Sequence, residues 1–126
     1  MAVKFQKSKN TGLLELQFGD VIYKVDVLTP EYAKKLIEVG EKYSGKKKFT
    51  ESNSKNLKDE LSGIVEFILG EGAYSQISKD VYNKEELTIP ELFEVILFIS
   101  DEMTNKTNEI NKITNLYSNR LNKLEN

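Results

Sequence analysis

The stretch Leu13-Leu14-Glu15-Leu16-Gln17-Phe18-Gly19-Asp20-Val21-Ile22-Tyr23-Lys24-Val25-Asp26-Val27 decides the fold class. Leu14, Leu16 and Phe18 alternate with Glu15 and Gln17, and beyond Gly19-Asp20 the alternation resumes as Val21, Tyr23, Val25 and Val27 against Lys24 and Asp26. A period of two sends successive side chains to opposite faces, so both runs read as strands with one buried face. Glycine takes positive φ without a Cβ clash, as a two-residue connection requires at its first central position. The segment therefore reads as a β-hairpin.

C-terminal to it, the period changes from strand to helix. Thr29-Pro30-Glu31 supplies an acceptor for an orphan amide, a residue suited to the first helical position and a carboxylate that complements the helix dipole. Tyr32, Leu36, Val39 and Tyr43, with Ile37 alongside, then follow the helical period, and Gly45 is placed to end it. Lys46 to Lys55 reads as an exposed loop. A second helix carries Leu57, Leu61, Ile64, Val65, Ile68 and Leu69 on one face and stops at Gly70. Glu71 to Ile77 reads as a short helical turn that returns Tyr74 and Ile77 to the core, and Asp80 to Leu87 as a connection.

Thr88, Pro90 and Glu91 open a further helix, apolar almost all round from Leu92 to Ile99, with Phe93, Ile96, Leu97 and Met103 expected in its core. Thr104 to Asn108 contains poor helix formers, and the helix either continues through them or restarts beyond. At about 100° per residue, Ile110, Ile113, Tyr117, Leu121 and Leu124 then share a stripe roughly 80° wide. Asn108, Asn111, Asn115, Asn119, Asn122 and Asn126 lie opposite. The expected architecture is α+β: an N-terminal β-hairpin or small antiparallel sheet packed against three to four α-helices, with an amphipathic C-terminal helix. Residues 1–104 are expected to form the compact domain and 105–126 the helical tail.

Composition narrows the chemistry. The chain has 126 residues, six Tyr, six Phe, no Trp, no His and no Cys. Histidine is the commonest general base and cysteine the thiol nucleophile, and both dominate zinc sites. The adjacent acids Glu85-Glu86 and Asp101-Glu102 diverge by about 100° on a helix and do not converge on one substrate atom. Asp80, Asn83 and Glu86 lack the central glycine and twelve-residue loop of an EF-hand. Gly70 and Gly72 form neither a dinucleotide-binding nor a Walker loop. The expectation is a protein that is not an enzyme, with no catalytic residue, cofactor or metal.

Net charge is −2, with 12 lysines and 9 acids in residues 1–60 against 6 basic and 11 acidic residues in 61–126. That asymmetry is too small to imply nucleic acid as a partner, which usually goes with a concentrated basic face and a high isoelectric point, against about 5.3 here. Lys46-Lys47-Lys48 is too short a run to be specific. Val95 to Ile99 is the longest apolar run, far short of a membrane span, and Met1 to Asn10 has no apolar core of a secretory signal. A reducing cytoplasm is the expected compartment. The C-terminal stripe must be buried against its own domain or against another chain, since soluble proteins avoid large exposed apolar patches. Ile110, Ile113, Tyr117, Leu121 and Leu124 are thus the candidate partner-binding residues.

Phe18-Gly19-Asp20 with the following Val25-Asp26-Val27, and Gly70-Glu71-Gly72-Ala73-Tyr74 after an apolar helix, carry a resemblance in order, size and texture. From about Leu13 to Met103 the chain resembles the small tail assembly chaperones of long-tailed, siphovirus-like bacteriophages. The Lys-rich start and Asn-rich end fit no pattern of that family. The resemblance implies a non-enzymatic α+β protein in the host cytoplasm that binds the tape measure protein and recruits tail tube subunits (the major tail protein) during tail morphogenesis. It also implies self-association into a homo-oligomer, and a longer frameshifted form in many members. Two other readings stand beside it: a self-assembling structural or tail-completion protein, and a small regulatory or nucleic-acid-binding module.

Overall fold

The computed structural model describes residues 1–7, 12–43 and 51–125. Strand β1 (Leu13–Phe18) and strand β2 (Val21–Asp26) form an antiparallel pair in which Leu14 faces Val25, Leu16 faces Tyr23 and Phe18 faces Val21. Those six positions share one face; Glu15 opposite Lys24 lies on the other, an opposite-charge cross-strand pair. Gly19 carries the turn at φ +65°. Asp26 then accepts from the Leu28 amide at 3.0 Å, turning the chain toward the helices.

Helix α1 (Pro30–Tyr43) follows, then α2 (Glu51–Leu69), α3 (Ala73–Asp80) and α4 (Ile89–Glu125). The fold is α+β, among the described residues a two-stranded sheet packed against four helices. The core joins Leu16, Phe18, Val25 and Val27 of the hairpin segment to Leu57, Leu61, Ile64 and Val65 of α2 and Leu92, Val95, Ile99 and Met103 of α4. An isolated hairpin is marginal in water, so burial on α2 and α4 is what holds this one.

Three expectations change. Helix α2 begins at Glu51, so the loop expected through Lys55 is already helical there; its opening residues precede Leu57, the first of its residues seated in the core, so no apolar period marks them. Gly45 and Lys46, Lys47 and Lys48 lie outside the described residues. The short turn expected up to Ile77 is a helix of two turns reaching Asp80. Leu97, expected in the core of α4, is 59% exposed. At 100° per residue it falls about 160° from Ile99, on the far side from the face that Leu92, Val95, Ile96 and Ile99 fill.

Two polar devices set the angles between elements. The Gly70–Gly72 corner is held by the Glu66 carboxylate, which accepts from the Ala73 amide at 2.9 Å. The Tyr74 hydroxyl accepts from the Leu87 amide at 2.9 Å, tying the connection that precedes α4 to α3.

Candidate functional site

The N-terminus of α4 is fixed by a reciprocal capping box. The Glu91 carboxylate accepts from the Thr88 amide at 2.9 Å, and the Thr88 hydroxyl accepts from the Glu91 amide at 3.3 Å. Lys84 donates to both Glu91 oxygens at 2.9 Å. The ammonium group and the Thr88 amide together pull the Glu91 carboxyl down to about 2.

From that anchor α4 runs 37 residues without a break, through Thr104 to Asn108. At 1.5 Å per residue this is a rod of roughly 55 Å. Its first half is seated: Leu92, Val95, Ile99 and Met103 are buried, and Ile110 is half-buried against the same core. Beyond Ile110 every side chain from Asn111 to Leu124 is exposed.

The exposure climbs along the stripe, from 45% at Ile113 through 54% at Tyr117 and 62% at Leu121 to 83% at Leu124. A steady rise means that the helix leaves the body rather than folding back on it. The stripe also lies in the same angular sector as Leu92, Ile99 and Met103, so the face that builds the core continues, uncovered, into the tail. Of the five candidate residues, Ile110 belongs to the seated part, and Ile113, Tyr117, Leu121 and Leu124 form the free part.

Leu116, 49% exposed, adds to this surface. It lies about 60° outside the 80° stripe, beyond Ile113 and about 100° from Tyr117, and only a wider sector on the helical wheel includes it. The flanks are lightly charged: Glu109 with Lys106 at 3.7 Å, then Lys112, Arg120 and Lys123. Asn108, Asn111, Asn115, Asn119 and Asn122 are exposed; Asn126 lies outside the described residues.

A second apolar surface lies at the tip of the hairpin. Phe98 packs edge-to-face on Phe18 at 5.5 Å and, with Val81 and Tyr82, lines a cleft of about 270 Å³. The Tyr82 hydroxyl donates to Glu94 at 2.5 Å, and burial together with that carboxylate raises its pKa well above the usual phenol value. This phenol is held protonated as a structural donor.

The acids considered for catalysis are scattered. Glu85, Glu86 and Asp101 are exposed and Glu102 half-buried. Asp80, Asn83 and Glu86 are exposed, and among the described residues no group of three or more His, Cys, Asp or Glu could hold a metal ion. Among the described residues, no helix is long and apolar enough to cross a membrane. The stripe on α4 is the apolar, helical feature that its own chain leaves open among the described residues. Set against known proteins, the chain matches no family model, no curated protein and no solved structure.

Proposed function

We propose that this chain is a non-enzymatic assembly factor of the phage tail chaperone type, acting in the host cytoplasm to shield a tape measure protein and recruit tail tube subunits. The single observation that supports the reading is the apolar stripe Ile113, Tyr117, Leu121 and Leu124 on a helix that outruns its own core. Tape measure proteins are long helical chains by the same family resemblance. An exposed helical stripe shields such a segment by packing along it, the segment's own i, i+3, i+4 and i+7 anchors meeting those of α4.

Capture of the tape measure and tail tube proteins on the immobilised chain tests this. Binding should be lost on Tyr117→Asp or Leu121→Asp, each of which sets a charge in the middle of the stripe while touching no residue of the core. Absence of capture by the unaltered chain, or capture indifferent to both substitutions, overturns the proposal. The gene neighbourhood gives an independent reading: a frame overlapping the codons of Asn122 to Asn126 and followed by a very long helical gene is the expected arrangement.

A further inference from the structure

We infer that a second copy of this chain occupies the stripe, its α4 antiparallel to the first, with the twofold axis crossing the helices level with Asn115. The inference rests on reading the stripe as a contact surface, and it names the occupant when no tail protein is present.

The need for an occupant comes from the tail itself. Residues 111–124 are rich in Asn, Thr and Ser and have no side chain covered by the body. Asn, Thr and Ser are weak helix formers, and most helical stability in proteins comes from packing of an apolar face, so this extension of α4 gains from an occupant on its stripe.

The identity of the occupant comes from spacing and charge. Ile110, Ile113, Tyr117, Arg120 and Leu124 alternate steps of three and four, the seam of a two-helix coiled coil, with Glu109, Leu116 and Lys123 along one flank. A parallel, in-register pair sets Arg120 directly on Arg120 of the second copy and leaves Glu109 facing a threonine, Thr114. Turning the second copy end for end removes the like-charge contact. Ile113 then meets Tyr117, and the alkyl stem of Arg120 lies against the open side of half-buried Ile110.

Along the flank, Glu109 meets Lys123 and lies beside Arg120, and the two Leu116 side chains meet at the axis. Twofold symmetry makes each of these contacts twice, as a self-complementary surface requires. Only the antiparallel arrangement gives Glu109 opposite charges across the seam, and it buries Leu116 at the centre.

The full chain, followed by sedimentation velocity up to about 100 μM, should be a dimer, a range in which even weak pairs form. Glu109→Lys and Lys123→Glu should each weaken the dimer by roughly tenfold, since like charges then face across the seam. The double swap Glu109→Lys with Lys123→Glu should restore it. Leu121→Asp should give a monomer with the circular dichroism of a folded body. Because the chain has no cysteine, Ile113→Cys and Tyr117→Cys chains provide a clean geometric readout. Disulfides should form faster in their mixture than in either alone.

A monomeric wild type that still captures tape measure protein overturns the second-copy inference and leaves the proposed function standing. Self-crosslinking of Ile113→Cys chains with no gain on mixing, or a double swap no better than the single changes, overturns the antiparallel geometry. A dimer untouched by Leu121→Asp places the self-contact elsewhere and overturns the second-copy inference, while the proposed function still stands or falls on capture.

Discussion

Gln76 carries more of the fold than its residue type suggests, and its removal is a sharp test of how the hairpin is held. Its Oε1 accepts from the Tyr23 hydroxyl at 2.7 Å, and its Nε2 donates to the Phe18 carbonyl at 2.8 Å and to Asp80 at 3.3 Å. One half-buried side chain on α3 thus grips both strands, at the last residue of β1 and the third of β2. Burial, followed by the nearby Glu66 and Asp80 carboxylates, raises the Tyr23 pKa, so the phenol stays a donor.

At a net value of about 1 kcal/mol per hydrogen bond, Gln76→Ala should cost about 2 kcal/mol through the two short bonds. The longer bond to exposed Asp80 is left out, because water replaces it. Tyr23→Phe should cost about 1 kcal/mol, and the double variant should show a coupling of about 1 kcal/mol because one bond is shared. Urea unfolding followed by circular dichroism and by tyrosine fluorescence measures both, in a chain with no tryptophan. A loss of under about 0.5 kcal/mol, or strictly additive single changes, would refute the assignment of the hairpin's attachment to Gln76.

Acid sensitivity should trace to the α4 cap. The Glu91 carboxyl is held at about 2, below its unfolded value of 4.5, so its contribution is complete above the unfolded pKa and disappears as pH falls from about 5 toward 2. Glu91→Gln should therefore flatten the fall of Tm across that window, and an unchanged acid limb would contradict the capping box. Two glycines should respond in opposite directions to alanine. Gly63, exposed inside α2 with nothing within 4 Å of an added Cβ, should gain about 0.8 kcal/mol. Gly19, at φ +65°, should lose roughly 1–2 kcal/mol, both read from urea midpoints.

Most of the fold was legible because it is local. The hairpin follows from alternation around Gly19-Asp20, and α1 and α4 open where Pro30 and the Thr88–Glu91 box stand. What escaped was long-range or directional. Gln76 meets Tyr23 and Phe18 across separations of 53 and 58 residues, which no local pattern encodes. Leu97 reads as inward-facing because its neighbours Val95, Ile96, Phe98 and Ile99 are all apolar. In such a run, hydrophobicity does not say which side faces the core; α2 and the hairpin decide that.

The candidate surface was legible as a pattern but not as a surface, because an apolar stripe has the same period whether it faces its own chain or another. Lengths separate the two cases. Helix α2 has 19 residues, about 28 Å, and α4 has 37, about 55 Å. The other covering elements, the hairpin and α1, are shorter still. A neighbour of 28 Å can seat only about half of such a rod, and the burial of α4 does fade near its midpoint, between Met103 and Ile110. The remaining length keeps the same apolar face with no element of the described chain left to cover it. The uncovered apolar face of the tail therefore follows from the mismatch of two helix lengths as much as from the residues on it.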